Sequence, residues 1–390
     1  MIRQAAALTR VNLQSLPQRW SSALIDVFGV ACVVAVFVGL FSTVASYRSI
    51  LLSNTDDSTL LVMKAGAGIE NESRLSPDDV GTIETAARAS DAGVLVSPEM
   101  SRLISVKRQQ GKDYVNIALR GVTPVAAQIR SKLKLTTGRF VESGKYELIV
   151  GRGSQRQFAG LGLGSTLRLA DTDWSIVGVF EADGGAVESE IWADLPVLQS
   201  AYRLGSSVHT VRVKTASVQS ADAFKKHMKE NSTLGVSVQP ESAYYQGSVR
   251  SFFELVGYFA YPLLIVMAVG AVFAGLNTMY GAVAARTREI GTARALGFGA
   301  TPIAVSVIAE SMLLALLGGL IGVALIYVAL DGLDANTNFF GDAQYAFSFV
   351  VSADLVTQGV LWALGIGLLG GLFPAVRAGR MPIVNALSEQ

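Results

Sequence analysis

Four apolar stretches, each long enough to cross a lipid bilayer, constrain this chain more than any other feature of its sequence. The first, residues 27–47 between Asp26 and Arg48, is 21 uncharged residues. At about 1.5 Å per residue it covers roughly 30 Å as a helix, the thickness of a bilayer's hydrocarbon core. A signal peptide is the alternative, because Arg3, Arg10 and Arg19 precede the stretch and small residues end it. The apolar run, however, exceeds the roughly 7 to 15 residues that such a peptide uses. Residues 255–285 contain no charge and make about 46 Å of helix, so this second span overshoots the membrane unless it tilts or Pro262 kinks it. Its outer end is expected to project as a stalk. The third span is 302–330, with Glu310 its only charge, and the fourth is 355–376.

Composition agrees with lipid as the main solvent. Charged residues are 16% of the chain and hydrophobic residues 51%, where soluble domains carry roughly 25% charged residues. A net charge of +1 offers no basic surface for phosphates, so no nucleic-acid partner is expected. The single cysteine, Cys32, sits in the first apolar stretch and supports no disulfide framework. His209 and His227 have no second His or Cys at ligand spacing, so neither a metal site nor a cofactor-binding site is expected on this chain.

Short-loop charges set the orientation. Arg3, Arg10 and Arg19 precede span one, Arg286, Arg288 and Arg294 follow span two, and Arg377 and Arg380 follow span four. The connection between spans three and four has Asp331, Asp334, Asp342 and Asp354 and no basic residue. The positive-inside rule then places both termini in the cytoplasm. The expected organisation is a cytoplasmic segment 1–20, a span over 21–47, an extracytoplasmic domain 48–250, and a second span with its stalk over 251–285. A cytoplasmic segment 286–301, a span 302–330, an outer loop 331–354, a span 355–376 and a cytoplasmic tail 377–390 complete it. The 24 Lys and Arg of the inserted domain do not oppose this, because long loops translocate largely regardless of charge.

Within the inserted domain, alternating apolar and polar residues predict strands over 59–65, 102–107, 113–122, 174–180 and 208–214. Ser76 with Asp78 and Asp79 ahead of Val80, Ile83, Ala86 and Ala87 reads as a capped helix, and 217–231 as another. Further strands from Gly93 and over 236–239 complete strand, helix, strand at each end, which predicts an α/β lobe built from both chain ends, with a β-rich lobe of about 111–192 inserted between them. The fold class is thus a membrane protein with four transmembrane α-helices and a large α+β extracytoplasmic domain inserted between helices 1 and 2. No catalytic residues are read here, since nucleophile, base and metal pair are all missing from any working arrangement. Scattered carboxylates are expected on the solvated surface. The string GLGLGS at 160–165 lacks the Gly-Lys-Ser/Thr ending of a P-loop and reads as a turn.

The connection after span two, NTMYGAVAARTREIGTARALGFGATP over 277–302, is where chemistry concentrates. Arg286, Arg288 and Arg294 can snorkel to headgroups. Glu289 gains nothing from anionic lipid, whereas a protein groove can pair with it and accept the short helices delimited by Gly291, Gly297 and Gly299. The string ARTREIGTARALG is similar to the signature that follows the second span in MacB/FtsX-like permeases of ABC transporters. Glu310 with Gly318, Gly319 and Gly322, and FPAVRAGRMPIVNAL over 373–387, resemble further family features. So do the Gly-Arg-Phe turn at Gly138 to Phe140, the LIVG strand ending at Gly151, and WSIVGVFEADGG over 174–185.

The resemblance implies a permease subunit in the bacterial cytoplasmic (inner) membrane, not itself an enzyme. Its expected partners are a cytoplasmic ABC ATPase subunit, a second permease copy or homologous permease, and a periplasmic adaptor where one exists. No Walker A string occurs in these residues, so ATP and Mg are expected on a partner ATPase, with Arg286, Arg288, Glu289, Gly291, Arg294 and Gly297 forming the coupling segment. Work done there would drive export or extraction of a lipid, lipoprotein, peptide or drug. An FtsX-like regulatory scaffold that activates an extracytoplasmic enzyme such as a cell-wall hydrolase is the alternative, and a membrane-anchored sensor without an ATPase is a third.

Inside the membrane, the four-residue spacing of Gly318 and Gly322, and of Gly367 and Gly371, permits close helix approach, with Gly319 beside them. Gly365, Gly367 and Gly370 match a dinucleotide-binding spacing only by coincidence, since they lie in an apolar span. Glu310 costs on the order of 2 to 3 kcal/mol in lipid unless paired, and a contact with the arginine-rich connection is expected. Asp26 and Glu254 read as span-edge residues near water.

Overall fold

The structure is a computed structural model and describes residues 4, 8–10, 20–109, 114–230, 234–336 and 346–381. Arg3, Arg19, Asp113, Asp342 and the tail from 382 onward lie outside them. In chain order the first elements are α1 (Trp20–Leu52), β1 (Thr59–Lys64), α2 (Pro77–Ser90), β2 (Leu95–Lys107), β3 (Tyr114–Val122), α3 (Ala126–Ile129), β4 (Lys134–Gly138) and β5 (Glu147–Gly151). Then come α4 (Arg152–Gln157), β6 (Thr166–Leu169), β7 (Thr172–Glu181), β8 (Ile191–Asp194), α5 (Leu195–Ala201), β9 (Thr210–Lys214), α6 (Val218–Glu230) and β10 (Val236–Pro240). The chain continues through α7 (Glu241–Ala285), α8 (Thr287–Ala295), α9 (Ala300–Leu330), β11 (Asp334–Asn336), β12 (Ala346–Ser348) and α10 (Ala353–Arg380). Two compact units result, one of residues 1–45, 252–333 and 349–390, the other of 46–251 with 334–348.

In the first unit, α1, α7, α9 and α10 are each long and apolar enough to cross a membrane. The chain is a multi-pass membrane protein. At 45 residues, α7 is about 68 Å long, and Pro262 lies within it. The bundle core places Val30, Val34, Phe37 and Phe41 of α1 against Leu264 and Ala271 of α7, Ala315 and Val323 of α9, and Ala363 and Ile366 of α10. The α1 positions recur every three or four residues, which is one helix face.

Lipid offers little hydrophobic drive between helices, so association depends on close packing of small residues. A Cβ on Gly318 would lie 2.6 Å from the Val27 carbonyl oxygen, and one on Gly322 2.5 Å from that of Ala31. Those two glycines therefore seat α9 on α1. Gly319 faces Ala363, Gly367 faces Ala315 and Gly371 faces Ser311, with hypothetical Cβ contacts of 2.5–2.7 Å. Ser311 Oγ also donates to the Gly367 carbonyl at 2.6 Å, tying α9 to α10.

The second unit holds a ten-stranded sheet in the order β10-β1-β9-β2-β3-β8-β5-β7-β4, with β6 paired to β7. Ser76 caps α2 in a reciprocal box with Asp79. The strand expected from Gly93 and the one expected at 102–107 are a single strand that begins at Leu95. Pro98 and the fully buried Glu99 interrupt the alternation there, so the sequence reads as a break. Residues 95–99 of β2 pair with β9 and residues 100–107 with β3. One core lies under β1, β9, α2 and α6, around Leu60, Ile83, Val211 and Phe224. Two more lie in the β-rich half, one among β3, β5, β7 and β8 around Ile117, Leu148, Trp174 and Ile191, and a smaller one around Ile149, Phe180 and Trp192. The string at 160–165 forms turns, with Gly160 and Gly164 at φ +78°.

Candidate functional site

The connection between the second and third long helices is a helix of its own. After Ala285 the chain breaks at Arg286 (φ −110°, ψ 13°), then forms α8 over nine residues. It ends in a Schellman motif: the Phe298 amide donates to Ala293 O at 3.1 Å and the Gly297 amide to Arg294 O at 3.0 Å. Gly297 takes φ +94°, the left-handed conformation that this ending requires and that glycine adopts without steric cost.

Three contacts hold the helix from behind. Arg286 Nη2 donates to Glu310 Oε1 of α9 at 2.6 Å, and both side chains are buried. Arg294 Nη1 donates to the carbonyls of Gly379 at 3.3 Å and Met381 at 2.5 Å, at the end of α10. Gly291 is buried, and Ile290 packs on a small core of Met279, Val283, Ile303, Val307, Ala375 and Ala378. A cavity of about 350 Å³ opens beside it, lined among others by Arg286, Glu289, Phe298, Ser306 and Glu310.

The face turned away from that core carries Arg288, Glu289, Thr292, Ala295 and Leu296, all exposed, with Leu296 at 76%. Their spacing of one, four, seven and eight residues makes them one stripe of the helix. Glu289, Thr292 and Leu296 stand where this face meets the mouth of the cavity. The six residues of the expected coupling segment thus separate by role. Arg286, Gly291 and Arg294 fix the helix to the bundle, Arg288 and Glu289 face out, and Gly297 ends it; Gly291, expected to delimit a shorter helix, lies instead inside α8, where its lack of a side chain lets the helix lie against the bundle.

Asp26 departs from the span-edge reading. It is only 7% exposed, accepts a hydrogen bond from Thr278, and its Oδ1 has no hydrogen-bond partner among the described residues. Gly275 and Gly370, whose Cα atoms come within 3.6 Å of each other's hypothetical Cβ, close the bundle beside it. Crossing helices bury a residue that sequence position alone would leave near water.

The scattered carboxylates of the inserted domain also depart from expectation. Glu70, Glu99, Glu190 and Glu241 are buried, and with Arg120, Arg130 and Arg212 they form one connected ion-pair network. Burial alone would raise the Glu70 and Glu99 carboxyls. Arg120 and Arg212 outweigh it at Glu70, and Arg130 with Arg212 at Glu99, holding both below the ordinary carboxyl range. The partners lie up to 142 residues apart, so no local pattern announces them. The one available signal was a charge held between two valines inside a strand, such as Arg212 in TVRVK.

Two family profiles match the chain. The MacB-like periplasmic core domain matches residues 23–231, and the FtsX-like permease C-terminal domain matches 262–383. The macrolide export ATP-binding/permease protein MacB of Bdellovibrio bacteriovorus is 24% identical over 99% of this chain and 62% of its own length. MacB of Sodalis glossinidius is 27% identical over 93% of this chain and 57% of its own. The chain therefore spans about three-fifths of these relatives. The ABC transporter permease YknZ of Bacillus subtilis is 24% identical over 73% of this chain and 72% of its own length. The periplasmic region of MacB from Actinobacillus actinomycetemcomitans overlays 50% of this chain and 94% of that one, at 15% identity and a TM-score of 0.38. That partial overlay carries no weight beside the first profile, which alone spans more than half of the 390 residues. The chain belongs to the MacB/FtsX-like family of ABC transporter permeases.

Proposed function

We propose that α8 is the docking element through which a separate cytoplasmic ABC ATPase moves this permease. One observation carries the proposal: α8 is clamped to α9 and α10 by Arg286 and Arg294 while a contiguous face of Arg288, Glu289, Thr292 and Leu296 stays open. A helix held in that way transmits a push from its open face to the spans behind it. ATP and Mg belong to the ATPase, and this chain supplies the lever.

On this reading both termini and α8 lie in the cytoplasm, and the permease pairs with a second copy or a homologue. Force travels along α1 and α7 to the inserted domain, where a lipid, lipoprotein, peptide or drug is exported or extracted, with or without an adaptor. The spans favour force transfer over conduction, since a hydrophilic path needs polar lining and the interhelical contacts described above are made largely by glycine and apolar side chains.

The test is co-expression with an ABC ATPase encoded beside this gene, followed by co-purification and ATPase assay in nanodiscs. The wild-type chain should retain the ATPase and raise its turnover. The double reversal Arg288→Glu, Glu289→Arg should lose both effects with its melting temperature unchanged. Retention of both by the reversed protein would overturn the docking role. Recovery of a cell-wall hydrolase on the outer side would assign the regulatory-scaffold alternative instead.

A further inference from the structure

We infer that Arg120 is a positioning residue that sets the angle between the two halves of the inserted domain, and that α1 and α7, gripping different halves, drive that angle. The source of the force rests on the docking reading above. The hinge itself stands on the domain's own geometry.

The two halves have separate cores, and two elements cross between them. One is β2, whose residues 95–99 belong to the β9 side and residues 100–107 to the β3 side. The other is the short helix α5, with Leu195 in one core and Val197 and Leu198 in the other. A single strand shared in this way is a pivot, and Glu99 is the last residue before the change of partner.

Arg120, on β3 and 4% exposed, spans the pivot. Its Nε and Nη2 donate to Glu190 at 2.9 and 2.7 Å, a bidentate pair inside the β-rich half. Its Nη1 donates across to Glu70 at 2.6 Å and to Glu99 at 3.2 Å. Glu70 has a second cation in its own half, Arg212, at 2.9 Å. Parting the halves therefore leaves Arg120 with Glu190 and Glu70 with Arg212. Neither half is left with an orphaned buried charge, whose cost would otherwise forbid the motion. Arg130 keeps hold of Glu99 at the pivot through two bonds of 2.8 Å.

The end of α1 is held by the β-rich half before residues 56–58 bond to Lys214 and Ser242 on the way into β1, whereas the root of α7 is held by the other half. Just past α1, Asn54 donates its side-chain amide to the Ala182 carbonyl, and Lys132 Nζ donates to the Ser53 carbonyl at 2.6 Å. Ala182 follows β7 and Lys132 precedes β4, both in the β-rich half. At the root of α7, Glu241 pairs with Arg212 at 3.5 Å and the Tyr244 hydroxyl accepts from the Glu70 amide at 3.3 Å, both in the other half. Displacing one helix end against the other shears the two halves, and the Arg120–Glu70 bond is the contact that breaks.

The experiment uses the full chain in nanodiscs without any ATPase, so its failure is separate from failure of the docking reading. In a C32S background, spin labels at Thr85→Cys on α2 and Lys145→Cys beside β5 report the distance between halves by electron paramagnetic resonance. The protein with Glu70 intact should give one narrow distance. Glu70→Gln should add a second, longer one. A disulfide from Ser97→Cys and Thr123→Cys, whose native hydroxyl oxygens lie 3.1 Å apart across the joint, should abolish the second distance. Arg120→Lys keeps the charge but not the fork that reaches Glu190 and Glu70 together, and should repeat the Glu70→Gln result if that variant does not fold. A network that only stabilises would lower the melting temperature and leave the single distance unchanged, and that result overturns the hinge.

Discussion

Arg286 and Glu310 are joined at 2.6 Å between the residue that opens the α7–α8 connection and the interior of α9, with both side chains buried. A carboxylate at that depth requires a cation, and a cation at a helix break requires an anchor. The pair satisfies both and fixes where α8 leaves the bundle.

Removing only one partner leaves a buried charge alone, at a cost of about 3–5 kcal/mol. Arg286→Met should lower the melting temperature of the detergent-solubilised chain strongly. Arg286→Met combined with Glu310→Met should recover most of the loss. Equal destabilisation by the single and double variants would show that the two groups do not act as a pair.

Leu296 is a large apolar side chain exposed at the end of α8, the kind of residue that dominates binding when a partner covers it. Leu296→Asp should leave the melting temperature within the range expected of a surface change, about 0.5 kcal/mol, while weakening retention of the ATPase tenfold or more. Unchanged retention in a titrated pull-down would remove Leu296 from the interface.

Orientation is testable by labelling. With Cys32 replaced by Ser, a cysteine at Thr292 on the open face of α8 should react with a membrane-impermeant maleimide only after the cells are permeabilised. A cysteine at Lys145 should react in intact spheroplasts. Labelling of the Thr292 position from outside would invert the topology.

A side chain at Gly322 would meet the Ala31 backbone carbonyl at 2.5 Å, and backbone cannot swing aside as a side chain can. Gly322→Val should destabilise the bundle by about 1–3 kcal/mol. Because Ala31 belongs to the same chain, the loss should not depend on protein concentration. A melting curve that recovers at high concentration would instead place Gly322 between copies.

Glu70 and Glu99 are held below the ordinary carboxyl value of about 4.3 once their arginine partners outweigh burial. A carboxyl depressed by folding contributes stability that is complete above its unfolded value and lost as pH falls through the folded one. The inserted domain should therefore stay folded at pH 4 and unfold at more acidic pH. Trp192 reports the transition, since its Nε1 donates to Glu190 Oε2 at 2.8 Å within the network. Glu99→Gln should lower stability at neutral pH and flatten the acid limb. An unaltered limb would show that Glu99 remains ordinary.

Features with a local cause were legible without the structure. The Ser76 and Asp79 cap, the left-handed Gly297 and the glycine turns at 160–164 each follow from the backbone needs of a few neighbouring residues. The contact of Glu310 with the arginine-rich connection was legible for a different reason, since a charge in lipid has few admissible partners. The continuity of β2 through Glu99 was hidden because that residue, unlike an ordinary strand residue, is buried by arginines that come from β3, β9 and the end of α3.

The sequence by itself determined the four spans, the domain inserted between the first two, and the charged connection after the second. Uncharged length against bilayer thickness and the composition of short connections are enough for that. Only the tertiary structure decided which charges are alone and which are paired. Burial of Asp26 and assembly of Glu70, Glu99, Arg120 and Arg212 depend on elements far apart in the chain meeting, and the energy of a charge is set by what surrounds it rather than by its place in the sequence.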